Sequence, residues 1–487
     1  MANLFKRMNR KEDPSVYEQK DSNLVRSLTT KDFLALGVGT IVSTAIFTLP
    51  GIVAANNAGP AVTISFLLAA IVAGLVALSY AEMASAMPFA GSAYSWINVV
   101  FGEFWGWVAG WALLAEYFIA VAFVASGLSS NFRALVSSTF KINLPTYLSN
   151  PVSAKGGLVD ICTVVVILIV MFLITRGDKE TSRVENVLVI LKVAAVLVFI
   201  VVGATAIHVA NYVPFIPAHH VNADGTSFGG FSGIYAGVSV IFLSYIGFDS
   251  IAANSAEAKN PQKTMPRGII GSLVIAVTLF VAVSLVLVGM FKYTNYANNA
   301  EPVGWALRQA GHPIVASVVQ IIAVVGMFTA LIGMMMAGSR LLYSFGRDGM
   351  LPKFLGRVNK KSHLPVNSII TMTVISVVIG AFLTFTFLSQ LISAGTLIAF
   401  MFVSIGIYPL RKREGKDINM PGFKEPFFPV MPALGFLASL AVFWGLDNDA
   451  KIYALVWFII GMVIYFVYGM HHNTRNQQAE VKSNDNE

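Results

Sequence analysis

The sequence predicts an all-α polytopic membrane protein with twelve transmembrane helices. Of its 487 residues 56% are hydrophobic and only 12% are charged, and long apolar runs alternate with short polar loops. Soluble domains carry about a quarter charged residues, whereas an apolar run of about 20 residues is long enough to cross a bilayer as a helix. The predicted spans lie near residues 32–54, 61–84, 97–127, 157–175, 184–208, 231–255, 268–291, 313–338, 367–386, 388–409, 428–447 and 452–470.

Lysine and arginine are distributed unevenly between the loops that join these spans. With a cytoplasmic N-terminus, the inside segments hold 26 of the 33 Lys and Arg residues and the outside loops hold six. Positive charge marks the cytoplasmic side of a membrane protein, so both termini are predicted to be cytoplasmic, in the cell membrane. This distribution explains the net charge of +8 without a nucleic-acid partner. One cysteine and scattered histidines give neither a disulfide nor metal-ligand spacing, and no cofactor is expected.

Two of the predicted spans contain residues that weaken a helix at membrane depth. The first includes GVGTIVSTAIF (37–47), and the sixth includes FLSYIGFDS (242–250). Unwound backbone is tolerated there only where it lines a cavity, and paired breaks in two halves of a chain indicate a transporter site. A half-helix N-terminus favours a carboxylate and freed carbonyls favour an ammonium, so the pair suits an amino acid. The alternative is that small residues only allow close helix packing.

Several motifs resemble the amino acid–polyamine–organocation superfamily: IFTLPG (46–51), YAEM followed by PFAGSAYSW (80–96), YIGFDS leading into EAKNPQKTMPRGI (245–269), and SRLLYSFGRDGMLP (339–352). The chain is similar to its bacterial branch of cationic amino acid transporters, and within that branch to permeases for branched-chain amino acids. The resemblance implies a five-plus-five inverted-repeat, leucine-transporter-like fold with helices 1 and 6 broken. Its parts would be cytoplasmic residues 1–31, repeats 32–208 and 231–409, a final pair of spans at 428–470, and a cytoplasmic tail at 471–487.

The resemblance also implies a substrate site at the two breaks. This sequence has Ser43-Thr44-Ala45 where relatives usually have Gly-Thr-Gly. The extra side-chain atoms narrow the approach to the backbone, and the two hydroxyls add donors. The implied contacts are the N–H groups of Thr44 and Ala45 to the carboxylate, and the carbonyls of Ile41, Leu243, Ser244 and Ile246 to the ammonium.

Two charges lie deep in predicted spans. Lys192 is nine residues from Arg183, about 13 Å along a helix, and such a charge is a functional hypothesis by default. Burial would let it gain and lose a proton; the alternatives are snorkelling to the inner interface and a fixed structural cation. By resemblance its ammonium fills the space that sodium occupies in sodium-coupled relatives. Glu116 is interpreted as a proton carrier, a counter-charge for Lys192 or a hydrogen-bond partner between helices. Glu82 is interpreted as structural or gating, and Asp249 as a cap of the resumed sixth helix.

The substrate class is indicated by one apolar residue on the eighth span. The resemblance places Met327 toward the substrate side chain, where its soft, apolar surface favours a neutral aliphatic amino acid; the alternative is ordinary helix packing. The predicted function is therefore proton-coupled import of leucine, isoleucine or valine. Exchange, small neutral or cationic substrates, and a non-transporting sensor stay open, as does a small accessory membrane helix. The spans contain no catalytic cluster, so an enzyme is not predicted.

Overall fold

The computed structural model describes residues 8–20, 26–142, 144–152, 154, 156–176, 178–222, 225–297, 299, 301–359 and 364–472. Most of the predicted tail at 471–487, from residue 473 onward, and residues 1–7 lie outside this part. The α-helices are α1 (Pro14–Lys20), α2 (Thr30–Ile41), α3 (Thr44–Val53), α4 (Val62–Ala86), α5 (Ala93–Val100), α6 (Glu103–Phe140), α7 (Thr146–Ser149), α8 (Ile161–Arg176), α9 (Asp178–Ala204), α10 (Gly230–Ile241), α11 (Phe248–Ala253), α12 (Pro261–Met290), α13 (Pro302–Gln309), α14 (Pro313–Arg347), α15 (Val366–Phe382), α16 (Phe385–Arg413), α17 (Val430–Trp444), α18 (Asn448–Ile464) and α19 (Met470–His472). A short antiparallel hairpin, β1 (His220–Val221) and β2 (Ser227–Phe228), precedes α10.

Eight stretches of the described chain are long and apolar enough to cross a membrane. A helix satisfies all its internal backbone hydrogen bonds, which a span in lipid requires. The chain is therefore a multi-pass membrane protein. The stretches are Thr44–Ala86, Glu103–Ser137, Asn186–Ala204, Gly230–Ala253, Pro261–Met290, Pro313–Arg347, Phe385–Arg413 and Asn448–His472, and shorter apolar helices lie at Ile161–Thr175, Val366–Phe382 and Val430–Trp444.

The predicted span at 97–127 is not one continuous helix. Helix α5 ends at Val100 and α6 begins at Glu103. Between them Gly102 has φ +120°, a conformation that only glycine adopts readily, and an added Cβ would lie 2.7 Å from the carbonyl carbon of Asn9. The prediction was wrong here because an apolar run does not reveal a tight turn inside it.

The segments predicted as the first and sixth spans are interrupted. Helix α2 ends at Ile41 and α3 begins at Thr44, with Val42 and Ser43 outside both. The sixth span passes from α10 through a 3₁₀ turn at Phe242–Tyr245 into α11. Both interruptions are buried, so their backbone lies inside the bundle and not against lipid.

The N-terminal segment at residues 8–20 packs against the bundle. The ring of Tyr17 is fully buried and stacks on Phe89 with a centroid distance of 5.4 Å. The side-chain amide of Asn98 donates to its hydroxyl at 3.0 Å, and the N–H of Glu103 donates to the carbonyl of Arg10 at 3.1 Å. Residues 8–20 are therefore docked onto α5 and the beginning of α6.

An ionic cluster at the ends of α4 and α16 holds the loop between α16 and α17. Arg411 donates to both carboxylate oxygens of Glu82, at 2.7 and 2.8 Å, and to the carbonyl of Glu425 at 2.8 Å. The N–H of Glu425 donates to Glu82 at 2.5 Å, and Ser79 donates to the Glu425 carboxylate at 2.8 Å. Glu82 thus ties two helices and one loop together, as its structural interpretation anticipates.

Candidate substrate site

The two helix breaks lie against each other inside the bundle. The Thr40 hydroxyl, in the last turn of α2, lies 2.9 Å from the carbonyl of Leu36 and 3.2 Å from that of Gly247. Gly247 has φ +133°, and a Cβ there would lie 3.0 Å from the Thr40 hydroxyl oxygen. Glycine is thus needed at this position both for its backbone conformation and for the close approach of α2.

The break in the first span presents the start of α3. The first N–H groups of a helix have no partner within that helix and carry the positive end of its dipole. In α3 these groups begin with Thr44 and Ala45, and both residues are buried. The N–H of Ser43 instead donates to the carbonyl of Ile41 at 2.8 Å. The helix start can therefore bind a carboxylate, and the roles of Ser43, Thr44, Ala45 and Ile41 stay predictions.

The Thr44 hydroxyl points toward α6, and donates to the carbonyl of Val124 at 3.4 Å. The side chain of Thr44 thus bonds α3 to α6, while its N–H lies at the start of α3, next to the break. The suggestion that this hydroxyl adds a donor for substrate has no support in the geometry.

The break in the sixth span supplies carbonyls and one hydroxyl. The N–H of Ile246 donates to the carbonyl of Leu243 at 3.1 Å, which leaves that carbonyl a second lone pair. The Ser244 hydroxyl is buried and has no hydrogen-bond partner among the described residues. Leaving such a group unsatisfied costs about 1–3 kcal/mol. A ligand with a donor or acceptor at this position would remove that cost, and the ligand roles of Leu243, Ser244 and Ile246 stay predictions.

Lys192 joins three helices at the first break. Its Nζ, on α9, donates to the carbonyl of Gly39 at 2.7 Å and lies 3.2 Å from the Thr329 hydroxyl on α14. The side chain is fully buried, so it does not snorkel to the membrane surface. Its stem runs over Gly326, where an added Cβ would be 2.9 Å from Lys192 Cδ. The amine of Lys192 therefore lies in a buried position beside the first break, with oxygen acceptors around it and room for its stem at Gly326.

Glu116 and Asp249 form a second buried charged group. Tyr117 donates to one Asp249 oxygen at 2.6 Å, and the Gly247 N–H donates to the other at 3.0 Å. Asp249 is the second residue of α11, and its carboxylate accepts from the N–H of Gly247 just before that helix; the helix has no side-chain N-cap, so the predicted capping role of Asp249 was wrong in its position. Neither Glu116 oxygen has a hydrogen-bond partner in the described chain, and Asp249 is close enough to interact with it electrostatically. A proton on either carboxyl would allow a hydrogen bond between the two. The sequence did not connect them because they lie 133 positions apart.

Met327 is fully buried on α14, directly after the glycine against which Lys192 packs. The role of Met327 in the pocket for the substrate side chain stays a prediction. In the part of the chain that the structure describes, no group of three or more His, Cys, Asp or Glu residues could hold a metal ion.

Interrupted helices that meet inside a multi-pass bundle, with a free helix start facing buried carbonyls, define the class of a transporter for a small zwitterionic solute. The family model described as amino acid permease matches residues 28–474. The chain therefore belongs to the amino acid permease family, within the amino acid–polyamine–organocation superfamily, and is an amino acid transporter.

Individual relatives cover almost the whole chain. The branched-chain amino acid permease BcaP of Lactococcus lactis is 62% identical over 94% of this chain and 98% of its own length. The branched-chain amino acid permease BcaP of Bacillus subtilis is 36% identical over 94% of this chain and 96% of its own. The methylthioribose transporter of Bacillus subtilis is 35% identical over 94% and 97%. These relatives are permeases or transporters and not enzymes.

Proposed function

We propose that this protein imports branched-chain L-amino acids across the cell membrane by proton-coupled symport with alternating access. The observation that carries the proposal is the contact between the two breaks at Thr40 and Gly247. It puts the start of α3, which suits a carboxylate, beside the carbonyls of the 3₁₀ turn, which suit an ammonium.

The proposal includes an architecture of twelve spans with both termini in the cytoplasm. Residues 32–208 and 231–409 are proposed as two inverted repeats, followed by a pair of spans at 428–470. The distribution of Lys and Arg supports the orientation, and the positions of the two interruptions support the repeats, because each falls in the first span of its half. On this orientation the docked segment at residues 8–20 lies on the cytoplasmic side.

The substrate side chain is inferred from the 62% identical relative and from the site. That relative is named a branched-chain amino acid permease. Buried Met327 and Leu243 offer apolar surface, which favours an aliphatic side chain, and the ammonium of Lys192 would repel a cationic one. A relative named for methylthioribose is 35% identical, so methylthioribose belongs in the competition assay beside alanine, lysine and arginine.

Lys192 and Glu116 are proposed to couple transport to protons. The hydrogen bonds of Lys192 to Gly39 and Thr329 suit the ammonium form, which also fits the fixed-cation alternative. Glu116, buried without a hydrogen-bond partner among the described residues beside Asp249, is placed to hold a proton in one state and release it in another. Exchange of one amino acid for another is the rival mode, and a sensor without flux is a remote alternative.

The test is uptake of radiolabelled L-leucine into proteoliposomes under an imposed proton gradient or an imposed sodium gradient. Lys192→Met keeps the stem that packs on Gly326 and removes the ammonium. Glu116→Gln keeps the shape and removes the ionisable carboxyl. We expect accumulation that needs the proton gradient, and a loss of at least tenfold in Lys192→Met.

Glu116→Gln separates coupling from binding. If Glu116 carries the proton, this variant still exchanges internal for external leucine and no longer accumulates leucine under a gradient. If labelled leucine enters only when the proteoliposomes are preloaded with an amino acid, and the proton gradient has no effect, symport is refuted and the protein is an exchanger. Saturable leucine binding without any flux would instead identify a sensor.

A further inference from the structure

Helix α3 packs closely on α6 at Gly127. An added Cβ on Gly127 would lie 2.0 Å from the Thr44 methyl carbon Cγ2, 2.9 Å from its hydroxyl oxygen and 3.0 Å from its Cβ. Non-bonded carbon atoms rest at about 3.5–4.0 Å, so any side chain at position 127 would force the two helices apart by roughly 1.5 Å. The Thr44 hydroxyl bonds the carbonyl of Val124 one turn earlier on α6, so the seat of α3 on α6 consists of two contacts.

A cavity of about 230 Å³ adjoins this contact, because Gly127 is one of the residues that line it. Its lining includes Gly127 itself, Thr48 from the next turn of α3, and the polar residues Ser130, Thr386 and Asn299. Asn299 lies in the loop before α13, which is outside in the proposed orientation. We name this cavity the outer vestibule. Since Gly127 belongs both to the vestibule and to the seat, the Gly127–Thr44 contact forms a floor between the vestibule and the first break.

We propose that the Gly127–Thr44 contact is the outer gate of the transporter, closed in this structure and opened when α3 moves away from α6. The inference rests on the proposed function, in which the N–H of Thr44 binds the substrate carboxylate. One residue then serves both purposes: its backbone holds substrate and its side chain closes against α6. Gly127 is a positioning residue, because the absence of a side chain permits closure.

The test introduces a methyl group at the gate. Gly127→Ala is compared with Gly74→Ala on α4, where an added Cβ meets no atom within 4 Å. The reporter is Ser43→Cys in a Cys162→Ser background, labelled with a membrane-impermeant maleimide from outside, and leucine uptake is measured without this reporter. Ser43 lies in the first break, on the other side of the floor from the vestibule, so labelling of the parent should be slow. We expect Gly127→Ala to raise the labelling rate at least fivefold without any substrate, and to lower leucine uptake at least tenfold. Gly74→Ala should change neither.

A second substitution tests whether the methyl contact is the cause. Thr44→Ser removes Cγ2, the atom at 2.0 Å. Gly127→Ala combined with Thr44→Ser should recover slow labelling and uptake to within about threefold of Thr44→Ser alone. If Gly127→Ala does not fold, the double variant decides. The remaining approaches of 2.9 and 3.0 Å predict labelling faster than in Thr44→Ser alone but by no more than about threefold, and labelling at the Thr44→Ser rate overturns the gate.

The outcomes separate the gate from the transport function. Labelling of Gly127→Ala at the parental rate, in a parent that takes up leucine, overturns the gate and leaves the function standing. Faster labelling of Gly127→Ala that Thr44→Ser reverses, in a parent that neither binds nor moves leucine, supports the gate and refutes the proposed substrate. Faster labelling that Thr44→Ser does not reverse overturns the gate, because the methyl contact is then not its cause.

Discussion

Replacing Glu425 by glutamine should stabilise the protein more at pH 8.5 than at pH 5.5. Burial raises the pKa of the Glu425 carboxyl from 4.5 to about 7; the hydrogen bond from Ser79 and the charge of Arg411 lower it, and the charge of Glu82 raises it further. The folded protein therefore holds a proton on Glu425 that the unfolded chain releases, so stability falls as pH rises from about 4.5 to about 7.

The size of the effect follows from that shift. One pKa unit corresponds to about 1.4 kcal/mol, so the raised pKa of Glu425 lowers the free energy of unfolding by roughly 3 kcal/mol above pH 8, where the carboxyl is ionised, and by roughly 1 kcal/mol at pH 5.5, where the folded protein holds the proton. Glu425→Gln removes this pH-dependent cost. The cost of burying the amide is the same at both pH values, so the difference between them isolates the carboxyl. The expected difference is about 2 kcal/mol, or roughly 2–4 °C in Tm.

The assay is thermal unfolding of detergent-solubilised protein, followed by intrinsic fluorescence at both pH values. Glu18→Gln is the control, because Glu18 is an exposed residue of α1 bonded only through Asn419 at 3.3 Å among the described hydrogen bonds. A Tm difference between Glu425→Gln and wild type that is equal at pH 5.5 and 8.5, or smaller at pH 8.5, would refute the assignment of a raised pKa to Glu425.

Three further substitutions probe packing. Gly326→Ala would place a Cβ 2.9 Å from Lys192 Cδ. Overpacking of this kind costs about 1–3 kcal/mol of stability, and leucine uptake should fall at least tenfold. Unchanged uptake would contradict the proposed role of Lys192. Thr329→Val removes a hydroxyl that accepts from Lys192 and should cost about 1–3 kcal/mol in thermal unfolding; no loss of Tm would show that the bond contributes nothing. Tyr17→Ala should cost about 3–5 kcal/mol. Tyr17→Phe keeps the buried ring and loses the bond from Asn98, so it should cost about 1 kcal/mol; equal Tm values for the two would contradict docking of the ring.

The helix breaks could be predicted because they depend on composition. Glycine, serine and threonine inside an apolar run are unusual, and Gly39, Thr40 and Gly247 lie where the two breaks form. The burial of Lys192 and Glu116 could be predicted because both lie deep in apolar runs, and a charge at membrane depth is costly in any fold; their functional roles stay predictions. These signals are local, and a single chain is enough to read them.

The partners of those residues could not be predicted. Lys192 donates to the carbonyl of Gly39, and a backbone carbonyl leaves no trace in the sequence. Asp249 on α11 interacts with Glu116 on α6, and nothing local in either stretch of sequence indicates the other. Gly127 sits in an ordinary apolar run, where one glycine carries no distinguishing signal. The polar N-terminal segment gave no sign that Tyr17 is buried.

The docked N-terminal segment has a consequence for how the protein is made. Tyr17 is 81 residues ahead of Asn98, whose side-chain amide donates a hydrogen bond to the Tyr17 hydroxyl. At a synthesis rate of about 5–20 residues per second, the tyrosine therefore waits roughly 4–16 s for its partner. Until α5 has emerged and turned back at Gly102, its ring stays in contact with water. Residues 8–20 can therefore dock only after synthesis has passed Asn98, so a segment that precedes the first apolar run depends for its place on one that follows the second.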